Sequence, residues 1–349
     1  MMDTLKSRYL KIYDAKFFLE QDLETITPYL KSQGWLEAND HVTKLEIPGK
    51  GNMNLILRVI PHQAPSFIIK QARPWVEKYP QLEAPVERIK VEHTFYQQLA
   101  GHPGLTKYSP AVMGFDVANS ILTLEDFGQS ADCSFVYNKG SFFGRNELDA
   151  AIGYLNIINQ LPVPKRYPSN LALRELNHQH IFYLPFIADN QFNLDEIQVG
   201  LQAFSQPCKK DKPLYLKIEQ LGKSYLGSGD TLLHGDFYPG SLLQTQAGLK
   251  VIDPEFSYVG PVEWDIAVFI AHLLLSATPL KLIDSCLSNY EKPAYFDHDR
   301  FSGFVGVEVL RRLIGLAQLP LEMALQQKAD LIEQSREWIK KGNIDILHT

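Results

Sequence analysis

Residues 231–256 read TLLHGDFYPGSLLQTQAGLKVIDPEF, and this stretch carries most of what the sequence says about fold and chemistry. An apolar run at Leu232–Leu233 leads into a polar turn, and further apolar residues flank a short hairpin that ends on Asp253 and Glu255. Asp236 lies on the other arm of this hairpin. The pattern therefore predicts three carboxylates at the mouth of one hairpin.

Carboxylates placed together repel one another and lose hydration, so they need a cation or a developing charge to compensate them. Magnesium suits this position, because it prefers oxygen ligands and usually takes one or two carboxylates, with water and phosphate completing its shell. We expect Asp253 and Glu255 to bind the metal and Asp236 to accept the proton of an incoming hydroxyl. Ser241, five positions after Asp236, has the place of a further metal-binding residue in phosphoryl-transfer enzymes.

The same stretch resembles the aminoglycoside phosphotransferase and choline kinase-like superfamily. The catalytic motif of that superfamily reads His-Gly-Asp, three residues, and then usually Gly-Asn, where this sequence has Gly240-Ser241. The segment 253–256, Asp-Pro-Glu-Phe, replaces the Asp-Phe-Gly of protein kinases. Both departures, and the following Gly260-Pro261 and Asp265-Ile266, are similar to the 5-methylthioribose kinase branch. A polar hairpin with capped aspartates is the alternative, and it explains less of this constellation.

The resemblance implies an α+β, bilobal protein-kinase-like fold, with a small antiparallel-sheet N-terminal lobe and a mainly helical C-terminal lobe. We expect a nucleotide-binding lobe at 1–127 and a catalytic and substrate-binding lobe at 128–349. A helix is predicted over 14–36 and another over 83–100, and the pattern is helical from 146 onward, with Asn146 as the predicted N-cap. Short alternating or β-branched runs predict strands at 42–47, 53–60, 67–71, 111–115 and 120–124.

Two features of the first lobe are typical of nucleotide binding. Lys70 ends an apolar run in the third predicted strand, and Glu92 follows 22 residues later in a predicted helix, so the two can pair and position the phosphates of ATP. A surface lysine and a solvated glutamate are the alternative. By resemblance, Glu125 and its neighbours form the hinge that binds the adenine edge through the backbone. A glycine-rich turn between the first two predicted strands can bring its backbone amides close to phosphate oxygens. A plain hairpin turn is the alternative. The residues predicted to bind phosphate here are Gly49, Lys50, Gly51, Asn52 and Asn54.

Arg311 and Arg312 lie in a helix predicted over 299–318. Neighbouring helical residues diverge by about 100°, so at most one of them would point straight into a cleft, and a solvated basic face is the alternative. Methylthioribose kinases have a tandem arginine in a late helix, so the resemblance implies a role in binding substrate or phosphate. It also implies a pentose such as 5-methylthioribose, phosphorylated at its 1-hydroxyl, as the acceptor.

Composition limits the remaining functions. The chain has 349 residues, 45% hydrophobic and 21% charged, as in ordinary globular proteins large enough for two lobes. A net charge of −6 without blocks of like charge disfavours nucleic acid or acidic membranes as partners, and no apolar run approaches the roughly 18 residues of a membrane span. Three widely spaced cysteines argue against a disulfide framework and predict a reducing cytoplasm. We expect ATP, Mg²⁺ and a small-molecule alcohol as ligands, while no pattern indicates an oligomeric state.

Two other functions fit parts of the sequence. An aminoglycoside or other amino-alcohol phosphotransferase would bind a polycationic acceptor, which the net charge permits but Arg311 and Arg312 oppose. A nucleotide-binding pseudokinase would have kept the fold and lost turnover. The intact Lys70, Asp236 and Asp253 argue against this second alternative.

Overall fold

The computed structural model describes residues 2–49, 51 and 53–344, with side chains from Leu5 onward. Lys50 and Asn52, which the sequence predicts to cover phosphates, lie outside the described residues. The strands are β1 Val42–Glu46, β2 Leu55–Pro61, β3 Phe67–Gln71, β4 Trp75–Val76, β5 Tyr79–Glu83, β6 Val112–Asp116, β7 Ile121–Glu125, β8 Ala131–Asp132, β9 Thr231–Leu233, β10 Leu242–Thr245, β11 Gly248–Val251 and β12 Tyr258–Gly260. The α-helices are α1 Met2–Ile12, α2 Leu23–Ser32, α3 Arg88–Ala100, α4 Pro103–Thr106, α5 Arg145–Ile158, α6 Leu171–His178, α7 Leu201–Lys210, α8 Lys212–Leu226, α9 Glu263–Leu275, α10 Leu280–Asn289, α11 His298–Ile314 and α12 Leu325–Lys341.

The chain divides into two compact units that are not contiguous in sequence. The first comprises Met1–Ala131 together with Lys250–Phe256, and the second comprises Asp132–Leu249 together with Ser257–Thr349. The sequence led us to assign 250–256 to the later lobe. The structure groups this segment with the first unit, where its acidic side chains form ion pairs.

The first unit is built on an antiparallel sheet with the strand order β1-β2-β3-β7-β6. Strand β3 is central, and Lys70 on it pairs with Ile56 of β2 and Leu122 of β7. Phe67 and Ile69 alternate with their neighbours along β3 and pack into a buried core with α2. The β3 register therefore fixes which face of the sheet Lys70 occupies.

The helix predicted over 14–36 is shorter in the structure, where only Leu23–Ser32 is helical. The earlier residues of the predicted range form no helix, because Asn119 Oδ1 accepts the backbone N–H groups of Lys16 and Phe17, and Gln71 Oε1 accepts that of Leu19. These side chains supply the hydrogen bonds that a helix would otherwise make within itself. Their contribution has no local signal in the sequence.

Two other helix starts differ from the prediction. Helix α3 begins at Arg88, because the β4–β5 hairpin occupies residues up to Glu83. Helix α5 has Gly144 at its N-cap, so the prediction of Asn146 as the cap is wrong by two residues. Neither difference moves a predicted site residue out of its element.

The second unit is mainly helical around a short antiparallel pair. Strands β9 and β12 pair with Leu233 opposite Tyr258 and Thr231 opposite Gly260. Helix α9 is buried along its whole length, and α11 packs against both α9 and α12. A helix that is apolar on every side belongs in the interior. Among the described residues, no helix combines the length and apolar character needed to cross a membrane.

Candidate active site

The first group of site residues surrounds Lys70, which is buried on β3. Its ammonium group donates to both carboxylate oxygens of Glu92, at 2.9 and 2.8 Å, and to Oδ1 of Asp253 at 2.6 Å. Burial lowers the pKa of Lys70, but the carboxylates of Asp253 and Glu92 outweigh it and raise the pKa above its ordinary value. The predicted Lys70–Glu92 ion pair is present, and the alternative of a surface lysine with a solvated glutamate is wrong.

Arg88 organises the same region, and the sequence reasoning missed it. Its Nε donates to Asn54 Oδ1 at 2.9 Å and lies 3.2 Å from Glu255 Oε2, while Asn54 Nδ2 donates to the same Glu255 oxygen at 2.8 Å. Its terminal nitrogens donate to the carbonyl oxygens of Arg73 and Met53, each at 2.9 Å. The fully buried guanidinium thus links residues 53–54, just before β2, to the segment 250–256.

One sequence signal could have found Arg88. It lies four residues before Glu92 on α3, and residues at that spacing share one face of a helix. Because this face of α3 presents Glu92 to the buried Lys70, we would expect Arg88 on the same face to lie close to that lysine as well. We call Lys70, Arg88, Glu92, Asp253 and Glu255 the Lys70 cluster.

The predicted phosphate-covering turn is described only in part. A Cβ on Gly51 would lie 3.1 Å from the carbonyl oxygen of Asn54 and 3.2 Å from Ile56 Cδ1, whereas a Cβ on Gly49 would meet nothing within 4 Å. Glycine at position 51 therefore permits a close approach of the backbone to the start of β2. Contact of these amides with phosphate stays a prediction.

Glu125 lies at the end of β7, where the hinge was predicted. Its backbone N–H donates to the carbonyl oxygen of Ala111 at 2.9 Å, and its carboxylate accepts the Ala111 N–H at 3.1 Å. Both groups are engaged with this neighbouring segment. A contact with adenine at this point stays a prediction, and it falls to the backbone beside Glu125.

The Lys70 cluster has the donor set for magnesium. It contains three carboxyl groups and two cations, so its fully ionised form has one negative charge more than its cations balance. Burial raises the pKa of Glu255 to about 8, and Asp253 adds to this effect, while Arg88 opposes it. The Asp253 side chain is 39% exposed and can take a ligand, whereas Glu255 is almost fully buried. Hard carboxylate oxygen donors fit Mg²⁺, with Asp253 as the more accessible ligand.

Asp236 lies in the loop 234–241 between β9 and β10, which we call the catalytic loop after its predicted role. Gly235 has φ of +87°, a conformation that favours glycine, and its carbonyl oxygen accepts the indole N–H of Trp264 at 3.0 Å. Asp265 accepts the backbone N–H of His234 at 2.6 Å and that of Gly235 at 2.9 Å. Asp265 thus bonds the backbone of the loop from the first turn of α9.

Ser241 holds the same loop from the other side. Its hydroxyl donates to the carbonyl oxygen of Asp236 at 2.9 Å, and its N–H donates to the carbonyl oxygen of Tyr238 at 2.9 Å. The side chain is buried, so what it can offer a metal is a lone pair of the hydroxyl oxygen. Its role as a metal ligand stays a prediction.

Arg311 and Arg312 are both buried, so the alternative of a solvated basic face is wrong. Glu308, one turn earlier on α11, binds both: Oε2 accepts from Arg311 at 3.0 Å and Oε1 from Arg312 Nε at 2.7 Å. The Arg312 guanidinium also lies over the ring of Tyr238, 5.3 Å from its centroid. Burial lowers the pKa of Arg312, but Glu308 and then Asp236 raise it above its ordinary value. Arg312 is therefore linked electrostatically to the catalytic loop.

A further cluster contains residue types that bind metals. The rings of His41 and His62 are exposed and stack at 5.1 Å, and Asp40 lies beside them. The Asp40 carboxylate accepts the backbone N–H groups of both histidines and of Gln63 and Ala64. With its lone pairs used in this way, Asp40 serves to close the ends of β1 and β2.

Comparison with known proteins gives the family. No family model matches the chain. The methylthioribose kinase of Bacillus cereus (strain G9842) is 30% identical in an alignment that covers 91% of this chain and 90% of that protein. A crystal structure of a choline kinase from Streptococcus pneumoniae has a TM-score of 0.52 and 14% identity, covering 91% of this chain and 98% of the other. The structure of the same enzyme in complex with AMP has a TM-score of 0.51 and 14% identity, with 92% and 98% covered.

The two kinds of likeness bear on different predictions. The structural likeness confirms the predicted α+β, kinase-like fold. The sequence likeness extends over nine-tenths of both chains and concerns enzymes that phosphorylate a hydroxyl group of a small molecule. The chain therefore belongs to the methylthioribose kinase family, and it is a small-molecule kinase.

Proposed function

We propose that the protein transfers the γ-phosphoryl group of ATP to the 1-hydroxyl of 5-methylthioribose in a magnesium-dependent reaction. The observation that carries this proposal is the buried Lys70, bound at once by Glu92 and Asp253, because a kinase needs this arrangement to position phosphates. The name of the Bacillus cereus relative supports the acceptor. The AMP complex of the choline kinase supports the use of a nucleotide.

The nucleotide would be bound by the first unit. Lys70 supplies a cation for the phosphates, and Glu92 keeps its side chain in place. Asn54 is itself fixed by Arg88 and Glu255, so it can hold the following backbone at the phosphates. The residues proposed to contact ATP are Gly49, Lys50, Gly51, Asn52, Asn54 and Lys70, with the backbone beside Glu125 at the adenine edge.

Magnesium would be held by Asp253 and Glu255, with Ser241 contributing through a water molecule. When bound, the metal supplies positive charge that offsets the charge on the transferred phosphoryl group. Asp253 is the residue exposed enough to reach it directly. Glu255 would keep its contact with Arg88 and lower the net charge of the metal site.

Asp236 acts on the acceptor. Its carboxylate accepts the proton of the sugar hydroxyl as the hydroxyl oxygen bonds to the γ-phosphorus and the bond from that phosphorus to ADP breaks, with ADP as the leaving group. The position of Asp236 is set by the loop that Asp265 and Trp264 hold. Arg312 donates N–H groups to oxygen atoms of the acceptor and presents a positive charge beside the loop. This charge favours a neutral sugar over the cationic acceptors of aminoglycoside and choline kinases.

We also propose that the protein acts in the cytoplasm. Cys133, Cys208 and Cys286 are buried and form no disulfide. Buried free thiols are typical of proteins that work in a reducing compartment.

A panel of acceptors tests the proposal. Purified protein with ATP and Mg²⁺ is offered methylthioribose, ribose, xylose, choline and kanamycin, and ADP release is measured together with ³¹P NMR of the product. We expect methylthioribose to give the highest kcat/KM and a phosphate ester at the 1-position, and EDTA to abolish turnover. A higher kcat/KM for choline or kanamycin would replace the proposed acceptor, and ATP turnover that survives EDTA would remove the proposed metal.

A further inference from the structure

A chain of buried polar side chains in the second unit has no place in the mechanism above. Tyr137 ends the 3-10 helix Cys133–Tyr137, and its hydroxyl lies 2.6 Å from Nδ1 of His272 on α9. The other ring nitrogen, Nε2, lies 3.2 Å from Oε1 of Glu308 on α11. All three side chains are 3% exposed or less. We call these residues, together with Arg311 and Arg312, the Glu308 cluster.

The hydrogen positions in this chain follow from the charges. Glu308 is bonded to two arginines, which hold its pKa well below the ordinary value despite burial, so it is an anion and can only accept. His272 Nε2 must therefore carry the hydrogen, and Nδ1 must accept the hydroxyl hydrogen of Tyr137. Burial lowers the pKa of His272 to about 4, which agrees with a neutral ring of this one tautomer.

The His272 bond restricts the Glu308 carboxylate. The last torsion of a glutamate side chain is broad, so two arginines from the same helix leave the plane of its carboxylate free to turn. A third donor, from a different helix, selects one orientation. Oε1 then accepts hydrogen bonds from His272 Nε2 and Arg312 Nε, and Oε2 accepts one from Arg311.

The two arginines have different surroundings. Arg311 also donates to Asn177 Oδ1 at 3.3 Å, so it is anchored to α6. Arg312 lies over Tyr238, and the charge of Asp236 acts on it. The orientation that Glu308 imposes is therefore transmitted to the catalytic loop through Arg312.

We propose that His272 is a positioning residue, which fixes Glu308 and thereby holds the Arg312 guanidinium in the orientation that binds the sugar acceptor. This inference rests on the proposed function, because it takes Arg312 as an acceptor-binding group. His272 itself touches neither substrate nor nucleotide. Its loss should weaken binding of the acceptor and spare binding of ATP.

A matched pair of variants tests the inference. His272→Gln places an amide N–H where Nε2 lies and keeps the bond to Glu308, whereas His272→Asn places it where Nδ1 lies and keeps only the contact with Tyr137. We expect KM for methylthioribose to rise about tenfold in His272→Asn and to stay within about threefold of wild type in His272→Gln. KM for ATP should change less than about twofold in both. Equal KM values for the acceptor in the two variants would overturn the inference.

A second readout does not depend on turnover. In protein labelled with ¹⁵N-arginine and ¹⁵N-histidine, wild type should show a slowly exchanging Arg312 Nε–H signal, assigned by its absence in Arg312→Lys, and a His272 ring protonated on Nε2. The Arg312 signal should persist in His272→Gln and exchange at least about tenfold faster in His272→Asn. Wild-type protein that shows this pattern without phosphorylating methylthioribose would refute the proposed acceptor alone. An Arg312 signal that is the same in both variants would refute the positioning role even if the kinase activity is as proposed.

Discussion

The Lys70 cluster of the first unit and the catalytic loop of the second are held in different ways. In the Lys70 cluster, charged side chains bind one another: Lys70 bonds Glu92 and Asp253, and Arg88 pairs with Glu255. In the catalytic loop, side chains capture backbone groups. Asp265 accepts two N–H groups, and Trp264 and Ser241 each donate to a carbonyl oxygen.

This difference determines how each region should respond to mutation. A buried ion pair that loses one partner leaves an uncompensated charge, and the cost in folding free energy is large. A loop held by several backbone hydrogen bonds loses about 1 kcal/mol with each one and keeps its shape through the others. We therefore expect changes in the Lys70 cluster to affect stability first, and changes in the loop to affect turnover first.

The largest expected effect is a loss of turnover when Asp236 of the catalytic loop is replaced. Asp236→Asn keeps the size of the side chain and removes the group that accepts the proton, so kcat should fall by about 10² to 10⁴. Coupled measurement of ADP release gives kcat, and calorimetric titration with ADP should show affinity within about twofold of wild type. Turnover retained within about tenfold would remove Asp236 from the catalytic role.

The next largest effect should be on the stability of the Lys70 cluster. Arg88→Met keeps most of the side-chain volume but leaves Glu255 buried without its cation, so the free energy of unfolding should fall by about 3 to 5 kcal/mol. Arg88→Lys is the matched control, because it keeps the charge while losing most of the hydrogen bonds. Urea denaturation measures both. A loss for Arg88→Met no larger than for Ser241→Ala would erase the contrast between the two regions.

Acid should act on the second unit through His272. Its pKa is about 4 in the folded protein and about 6.5 when unfolded. Between these values the unfolded chain binds more protons, so this contribution to stability is complete above about pH 6.5 and is lost as the pH falls toward 4. The shift corresponds to about 3 kcal/mol. Urea denaturation from pH 4.5 to 7 should show wild type losing more stability in acid than His272→Gln, and parallel curves would contradict the buried neutral ring.

The smallest effect is expected for Ser241→Ala, which removes one hydrogen bond from the loop. The free energy of unfolding should fall by about 1 kcal/mol, and the Mg²⁺ concentration for half-maximal activity should rise less than about threefold. Titration of activity with Mg²⁺ separates the two roles of the hydroxyl. An increase of tenfold or more would make Ser241 a direct metal ligand.

The sequence was most informative where the chemistry is local. The strand that carries Lys70 was predicted with its observed bounds, because a short continuous apolar run ends in a single lysine. The resemblance to related kinases drew attention to Asp265 at the start of a helix, where it could cap the helix or bond the loop, and the structure shows the bonds to the loop. Both residues lie in short stretches of chain that could be interpreted locally.

Contacts between residues far apart in the chain could not be predicted from the sequence. Tyr137 and His272 are 135 positions apart, and His272 and Glu308 are 36 apart. Polar residues within the apolar helices α9 and α11 need hydrogen-bond partners when they are buried. The periodicity of the sequence does not identify those partners. Arg88 was missed for a similar reason, since its partners in the segment 250–256 became apparent only from the fold.

Because residues 250–256 belong to the first unit, no single continuous stretch of the chain contains that unit by itself. A fragment ending at Ala131 would contain Lys70 and Arg88 but lack Asp253 and Glu255, so two cations would have to be buried without two of their three counterions. Such a truncation should fail to fold unless a peptide spanning 250–256 is supplied in trans. The first unit is thus not a transferable module, and recombination would have to exchange two separate stretches of coding sequence to move it intact.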